Sequence, residues 1–158
     1  MRRLARVIAT VGGIGYLPHA PGTAGSFLGL LAGMAWVMLW PWHNSVILRA
    51  LIWIVIVLLG VVASTATEQD LRIHDPPCVV IDELIGMWTI TVVIPKLWAI
   101  PVLVAVAFTV FRLVDIFKLP PLNALSRAPG GWGIMLDDLG ASAYTCGVLQ
   151  LILVTGKW

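Results

Sequence analysis

The run from residue 45 to residue 65 constrains the fold more than any other part of the chain. It holds 21 residues and a single charged side chain, Arg49. About 20 apolar residues in a helix cross the hydrocarbon core of a bilayer. Because 59% of the chain is hydrophobic and only 11% is charged, the composition is not that of a water-soluble domain. We therefore predict an all-α fold, a polytopic membrane helical bundle that forms one domain over residues 1–158.

About five spans are expected, near residues 24–40, 45–65, 79–94, 98–117 and 134–155. Gly25, Gly29 and Gly33 fall on one face of the first span, and small residues at this spacing let a second helix approach closely. The basic segment 1–11 is expected at the membrane surface. Residues 12–26 are too rich in glycine and proline for regular structure. A tight turn is expected at 41–44, and polar connections at 67–77 and 118–131.

The charged residues are distributed unequally between the two ends of such a bundle. Seven basic residues fall on the N-terminal side and three on the other, which places the N-terminus in the cytoplasm by the positive-inside rule. All eight acidic residues lie on or near that side, so we predict a cytoplasmic-face site. The opposite face is edged by an aromatic belt of Trp40, Trp42, Trp98 and Trp158. The net charge of +2 and the scattered basic residues do not favour nucleic acid as a partner.

Two adjacent acidic pairs, Asp82-Glu83 and Asp137-Asp138, each open a predicted span. Ionised carboxylates are costly inside a membrane and usually face a polar cavity or a cation. We expect the two pairs to meet, with oxygens within roughly 8 Å, around a hard divalent cation such as magnesium. No cluster of histidines and cysteines favours zinc or copper. In the alternative interpretation, Asp82 and Glu83 only cap a helix at the membrane surface, where acids suit the N-terminal dipole.

Two further groups are suited to a phosphate. In segment 21–26, backbone N–H groups at a helix start lie beside the hydroxyls of Thr23 and Ser26; alternatively, the segment is a packing site with Thr23 as N-cap. Arg112, Asp115 and Lys118 recur at three-residue spacing near one helix face. Arg112 and Lys118 would bind a lipid phosphate while Asp115 orients one of them or reaches a metal. The alternative is an ion-pair ladder at the helix end.

Other catalytic groups find little support in the sequence. His74, beside Asp75, could act as a general acid, although a lone loop histidine more often has no catalytic role. Neither Cys78 nor Cys146 belongs to a cysteine-phosphatase signature, a disulfide framework or a zinc site. The signatures of histidine lipid phosphatases and of aspartyl-phosphate enzymes do not occur. Metal-assisted attack, most simply by water, remains.

Four separated motifs occur in order over nearly the whole chain. They are Pro18 with Ala20-Pro21-Gly22-Thr23 and Gly25-Ser26; Asp82-Glu83 with Gly86 and Trp88; Phe111-Arg112 with Asp115 and Lys118; and Gly130-Gly131, Gly133-Ile134-Met135 and Asp137-Asp138. Together these motifs resemble those of the phosphatidylglycerophosphatase A family. Three positions depart from the family's pattern, where proline, an acid and glycine are usual: Leu119, Ser126 and Ser142, respectively. We therefore assign Ser126 no catalytic role, and Arg127 only a minor one.

The resemblance implies a magnesium-dependent enzyme of the bacterial inner membrane that removes the terminal phosphate of phosphatidylglycerophosphate, leaving phosphatidylglycerol. The predicted metal ligands or acid–base groups are Asp82, Glu83, Asp137 and Asp138. The predicted substrate-binding groups are Thr23, Ser26, Arg112, Asp115 and Lys118. The alternative from another class is a non-enzymatic membrane carrier of cations or anionic lipid that uses the same acids. Their one-sided distribution disfavours a carrier, which needs polar groups near mid-membrane or on both faces.

Overall fold

The computed structural model describes residues 2–39 and 46–156. In these ranges the chain is helical and has no strand, which confirms the predicted all-α class. The α-helices of the described ranges are α1 (Arg2–Ala9), α2 (Pro21–Leu39), α3 (Val46–Leu71), α4 (Ile81–Val93), α5 (Pro101–Phe117), α6 (Leu122–Leu125) and α7 (Gly131–Thr155). Two short 3-10 helices occupy Ile14–Tyr16 and Pro95–Ala99.

Three of these helices, α2, α3 and α7, are long and apolar enough to cross a membrane. Helix α4 has 13 residues and α5 has 17, fewer than the roughly 20 of a typical membrane-spanning helix. The five predicted spans thus correspond to three helices of spanning length and two shorter ones. The predicted turn at 41–44 lies outside the described residues, as do three members of the predicted aromatic belt, Trp40, Trp42 and Trp158.

Helices α2 and α7 begin earlier than predicted. Helix α2 starts at Pro21, so the expected irregular structure is wrong for residues 21–26. Proline suits the first helical position because the N–H that it lacks would have no helical partner there. Helix α7 starts at Gly131 rather than at Ile134. The preceding Gly130 has φ of +61°, a conformation that glycine adopts without steric cost.

Helix α3 continues to Leu71, past its predicted end at residue 65. The hydroxyl of Thr65 donates a hydrogen bond of 2.7 Å to the carbonyl of Val61, four residues before it. Thr67 donates in the same way to Ala63 at 2.8 Å. Because each hydroxyl finds its partner inside the helix, these polar residues do not interrupt it. The polar stretch that follows the apolar run is therefore the last two turns of α3.

Helix α2 packs closely against α4 through glycine, as the four-residue spacing predicts. Gly25, Gly29 and Gly33 are buried. A methyl group on Gly29 would collide with the main chain of Leu84, and one on Gly33 would collide with the side chain of Thr91. The glycine face of α2 thus lets the two backbones approach to a distance that any larger residue would prevent.

Helices α4, α5 and α7 share the main apolar core. Its fully buried members include Met87 and Ile90 of α4, Phe111 of α5 and Leu149 of α7. Ser142 adds a polar link, since its hydroxyl lies 2.8 Å from the carbonyl oxygen of Gly86 and 2.7 Å from that of Asp138. Helix α7 is therefore fixed to α4 about one turn beyond the acidic residues of both helices.

Five helices meet at one end of the bundle, called the acidic end below. Gly22 in the first turn of α2 lies against Glu83 in the first turn of α4. Arg112, near the end of α5, also lies close to Glu83. The N–H of Gly131, the first residue of α7, donates to the hydroxyl of Thr65 near the end of α3 at 2.8 Å. Helices α2, α4 and α7 therefore begin at this end, and α3 and α5 finish there.

The glycine contact between α2 and α4 can be tested with a matched pair of alanine variants. Gly29→Ala should lower the unfolding temperature in detergent, since overpacking of this kind costs about 1–3 kcal/mol. Gly147→Ala in α7 is the control, because a methyl group there meets nothing within 4 Å and alanine favours a helix over glycine. Unfolding of the two variants at the same temperature would contradict the packing.

Candidate active site

A cavity of about 300 Å³ opens at the acidic end. Its walls come from the first turn of α4, the first two turns of α7, the end of α5 and the loop 72–80. The acidic residues that line it are Asp75, Asp82, Glu83, Asp115, Asp137 and Asp138. Among the described residues that line it, the only basic one is Lys118. The cavity is therefore a concentrated site of negative charge at the end of an apolar bundle.

Three of these carboxylates converge on one point. Asp82, Glu83 and Asp138 each offer an oxygen, and these oxygens lie within 4.8 Å of one another. Asp82 is 8% exposed and Asp138 is 2% exposed. The prediction that the two acidic pairs meet is confirmed for these residues, although α4 and α7 supply them from positions more than fifty residues apart in the sequence. The arrangement thus brings three acidic side chains together at a largely buried position.

The donor atoms fit a hard divalent cation. Among the described residues, no hydrogen-bond partner reaches four buried carboxylate oxygens: Asp82 Oδ1, Glu83 Oε2, Asp137 Oδ1 and Asp138 Oδ1. A buried polar atom without a partner costs free energy, and more so when the group is charged. Magnesium binds through carboxylate oxygens and keeps several waters. The residues present therefore suit a magnesium ion.

Arg112 compensates part of the negative charge from behind the cavity. Its Nη1 donates to Asp115 Oδ2 at 2.7 Å and lies 3.7 Å from Glu83 Oε1. The same nitrogen is 3.4 Å from the hydroxyl of Ser26. Arg112 does not line the cavity, so it holds Glu83 and Asp115 in place and does not present a free guanidinium to a ligand.

Asp137 and Lys118 form an ion pair inside the cavity. The Lys118 ammonium lies 2.5 Å from Asp137 Oδ2. Lys118 ends α5 in the left-handed conformation, with φ of 46°, and this turn brings its side chain toward α7. Of the two acids in the Asp137-Asp138 pair, Asp138 thus joins the three-carboxylate group and Asp137 holds the lysine.

The predicted hydroxyl cradle of α2 does not reach the cavity. Thr23 is exposed in the first turn, and neither Thr23 nor Ser26 lines the cavity. The buried Ser26 hydroxyl donates to the carbonyl of Gly22 at 2.9 Å. Gly22 itself matters more, because any side chain there would collide with the carboxylate of Glu83.

The sequence analysis gave no role to Asp75, yet the structure places it in the cavity wall. Asp75 has φ of +50°, an uncommon conformation for a residue with a side chain. Two prolines follow it, and they also line the cavity. An acid before paired prolines, on the same side as the other acids, is the sequence signal that could have identified it.

His74 lies outside the cavity and binds a different carboxylate. Its Nδ1 is 2.8 Å from Glu68 Oε1 at the end of α3. This hydrogen bond raises the pKa of His74 above its ordinary value. The structure thus gives His74 a partner in holding the loop 72–80 and does not place it among the cavity residues.

The fold and the site define an all-helical, apolar protein whose buried carboxylates meet at one end of the bundle. This chain belongs to the family Phosphatidylglycerophosphatase A, whose model matches residues 7–153.

Named relatives agree with this membership. Phosphatidylglycerophosphatase A of Escherichia coli (strain K12) is 34% identical over 146 residues, which cover 89% of this chain and 78% of that protein. The protein of the same name from Haemophilus influenzae is 33% identical over 136 residues, 84% of this chain and 78% of the relative. A protein of Bacteroides thetaiotaomicron, provisionally named a phosphatidylinositol-3-phosphatase, is 30% identical over 152 residues, 96% of this chain and 92% of the relative. No solved structure matches the chain.

The cation fit of the three-carboxylate group can be tested without measuring activity. Magnesium should raise the unfolding temperature of the purified protein in neutral detergent, since a ligand at a hundredfold excess over its Kd stabilises by about 2.7 kcal/mol. Asp138→Asn should lose most of this gain. In chelator, the variant should unfold no earlier than the wild type, because it removes an unpaired buried charge.

Glu68→Gln is the control for this measurement, because it removes a carboxylate from the acidic end but outside the cavity. It should keep the stabilisation by magnesium. Equal stabilisation of Asp138→Asn and Glu68→Gln would rule out the three-carboxylate group as the ligand set.

Proposed function

We propose that this chain is a magnesium-dependent phosphatidylglycerophosphatase, which hydrolyses the terminal phosphomonoester of phosphatidylglycerophosphate to phosphatidylglycerol and phosphate. The observation that carries the proposal is the group of three buried carboxylates with unpartnered oxygens, in a chain of this family. Two named relatives are phosphatidylglycerophosphatases. The proposed catalytic groups and metal ligands are Asp82, Glu83 and Asp138, with Asp137 in a supporting role.

Charge decides which chemistry the cavity can support. Six carboxylates line it, against Lys118 inside and Arg112 behind. A phosphomonoester is itself an anion, so the cavity as it stands would repel it. Asp82, Glu83 and Asp138 would hold a magnesium ion, which supplies charge neutralisation for the phosphoryl oxygens.

The protein's own side chains position the water and move the protons. One carboxylate of the three-carboxylate group positions the attacking water and accepts its proton. The water oxygen forms a bond to phosphorus as the bond from phosphorus to the glycerol oxygen breaks. That oxygen takes up a proton, equivalent to the one that the carboxylate accepted from the water, and leaves as the hydroxyl of phosphatidylglycerol, while inorganic phosphate is released.

Two ion pairs position the groups that surround this step. The Lys118 ammonium, held by Asp137 at 2.5 Å, is the cation that can meet a phosphate oxygen of the substrate. Arg112 keeps Glu83 and Asp115 in register through contacts of 3.7 and 2.7 Å. We therefore assign Lys118 to substrate binding and Arg112 to positioning. Thr23 and Ser26 do not line the cavity, so the proposed phosphate contact rests on Lys118 and not on these hydroxyls.

The proposed setting is a bacterial inner membrane, with the acidic end facing the cytoplasm. Five helices alternate in direction at this end, which supports five crossings with the shorter α4 and α5 included. Most of the basic residues also lie on this side, as the positive-inside rule requires of a cytoplasmic face. The terminal phosphate of the lipid substrate, at headgroup depth, then reaches the cavity while the acyl chains of the lipid stay in the bilayer. A carrier using the same acids is less well supported, because the acids meet at one end only.

The reaction can be tested with phosphate release from purified protein in detergent, using phosphatidylglycerophosphate and phosphatidylinositol 3-phosphate as parallel substrates. The former should be turned over with magnesium and not in chelator. Asp82→Asn should reduce turnover by about a hundredfold or more, the usual scale for loss of a general base or of metal polarisation. Glu68→Gln should retain it. Full turnover by Asp82→Asn would make this acid a helix cap, and a preference for the inositol lipid would reassign the substrate.

The role of Lys118 can be separated from that of Asp82 by a substrate titration. Lys118→Ala should raise KM, since a phosphate contact made in both the ground state and the transition state contributes uniform binding. Arg72 is exposed and lies on the same side of the bundle, outside the cavity. The control variant Arg72→Gln should therefore leave KM unchanged. An unchanged KM in Lys118→Ala would limit Lys118 to its pair with Asp137.

A further inference from the structure

A second cavity, of about 530 Å³, lies between α1 and the end of α3. Unlike the acidic cavity, it is basic. Its polar lining comprises Arg2, Arg3, Arg6, Thr10, Tyr16 and Asp70. The reaction proposed above makes no use of any of these residues.

The arginines of this basic cavity exceed the acid that faces them. Asp70 forms an ion pair with Arg6 and lies 3.6 Å from Arg2. Three arginines against one carboxylate leave a net charge of 3 − 1 = +2 in the lining. Arg3 forms no ion pair within the described ranges, and the buried Nε of Arg6 has no hydrogen-bond partner there. Positive charge and donor capacity therefore remain for an anion.

Helix α1 also presents an apolar surface beside these arginines. Leu4 is 65% exposed, Val7 is 54% exposed and Ile8 is 37% exposed. The spacing of three and four residues places these side chains on one face of the helix. A short helix with arginines beside an exposed apolar face lies in the membrane interface, with the apolar face among the acyl chains.

The basic cavity is anchored to the same part of the molecule as the active site. The carbonyl of Ala9, the last residue of α1, accepts a hydrogen bond of 3.0 Å from the N–H of Val80. Val80 directly precedes α4, which carries Asp82 in its first turn. The arginines of α1 therefore lie at the acidic end, which the proposed setting places beside the lipid headgroups.

We propose that the basic cavity binds the phosphate of an anionic phospholipid headgroup, separately from the acidic cavity. Arginine pairs with phosphate through several N–H donors at once. The exposed apolar face of α1 favours a lipid over free phosphate, because acyl chains would cover Leu4, Val7 and Ile8. This site does not depend on the reaction proposed above, and it would hold an anionic lipid beside the catalytic cavity.

Native mass spectrometry of the purified protein in neutral detergent, titrated with phosphatidylglycerol or phosphatidylcholine, tests the proposal. The wild type should bind phosphatidylglycerol more tightly than phosphatidylcholine. Arg3→Gln should weaken the binding of phosphatidylglycerol about fivefold, and Arg2→Gln with Arg3→Gln by about 25-fold, the usual effect of each basic residue at an anionic membrane surface. Both side chains are exposed, so the fold should not change.

Arg72→Gln is the matched control, since it removes one exposed arginine from the same side of the bundle but outside this cavity. It should bind phosphatidylglycerol as the wild type does. Equal weakening by Arg3→Gln and Arg72→Gln would overturn the site, as would equal binding of the two lipids by the wild type. Displacement of the lipid by excess inorganic phosphate would show a site for a free anion, and the lipid assignment would then fail.

Discussion

Burial of unpartnered carboxylate oxygens is the constraint on which the rest of this structure depends. Asp82, Glu83 and Asp138 bring three acids within 4.8 Å, and each has a buried oxygen that no described residue satisfies. The three carboxylates repel one another and lose hydration, so this arrangement persists only if the surrounding helices are rigid enough to hold it. The same rigid arrangement suits the three carboxylates to bind a cation, because a cation that enters meets ligand oxygens already in position.

Rigidity around the three carboxylates comes from close helix packing and from the partly buried guanidinium of Arg112. The glycines of α2 allow that helix to lie directly on α4, so that its first turn reaches Glu83. The positive end of the α2 dipole then adjoins this carboxylate. On the other side Arg112 links Glu83 with Asp115. Ser142 connects α7 to α4 one turn further in. The hydroxyl of Ser142 therefore joins the two acid-bearing helices.

Much of this architecture could be predicted from the sequence because the signals are periodic. Apolar run length gave the helical class, and the four-residue glycine spacing gave the packing face of α2. Acids at the starts of two apolar runs predicted that Asp82 and Glu83 lie close to Asp138. These inferences depend only on composition and on the repeat of a helix, which tertiary contacts do not alter.

The details that the sequence did not predict depend on the direction in which each side chain points. Adjacent residues in a helix point about 100° apart, so the sequence cannot say which acid of the Asp137-Asp138 pair faces the cation group and which faces Lys118. The left-handed turns at Lys118 and Asp75 redirect side chains in ways that no apolar pattern encodes. The start of α2 at Pro21 sets which way its first turn faces, and it leaves Thr23 exposed.

The shortness of α4 has a consequence for the bilayer itself. Its 13 residues extend about 20 Å at 1.5 Å per residue, whereas the hydrocarbon core is about 30 Å thick. Helix α4 leads into the 3-10 helix Pro95–Ala99, where the fully buried Leu97 belongs to the main apolar core. If α4 crosses the bilayer, as proposed, the hydrocarbon beside this part of the bundle would be thin, and the lipids there would tilt or compress. Hydrophobic mismatch at α4 would then make the stability of the protein depend on the acyl chain length of the surrounding lipids.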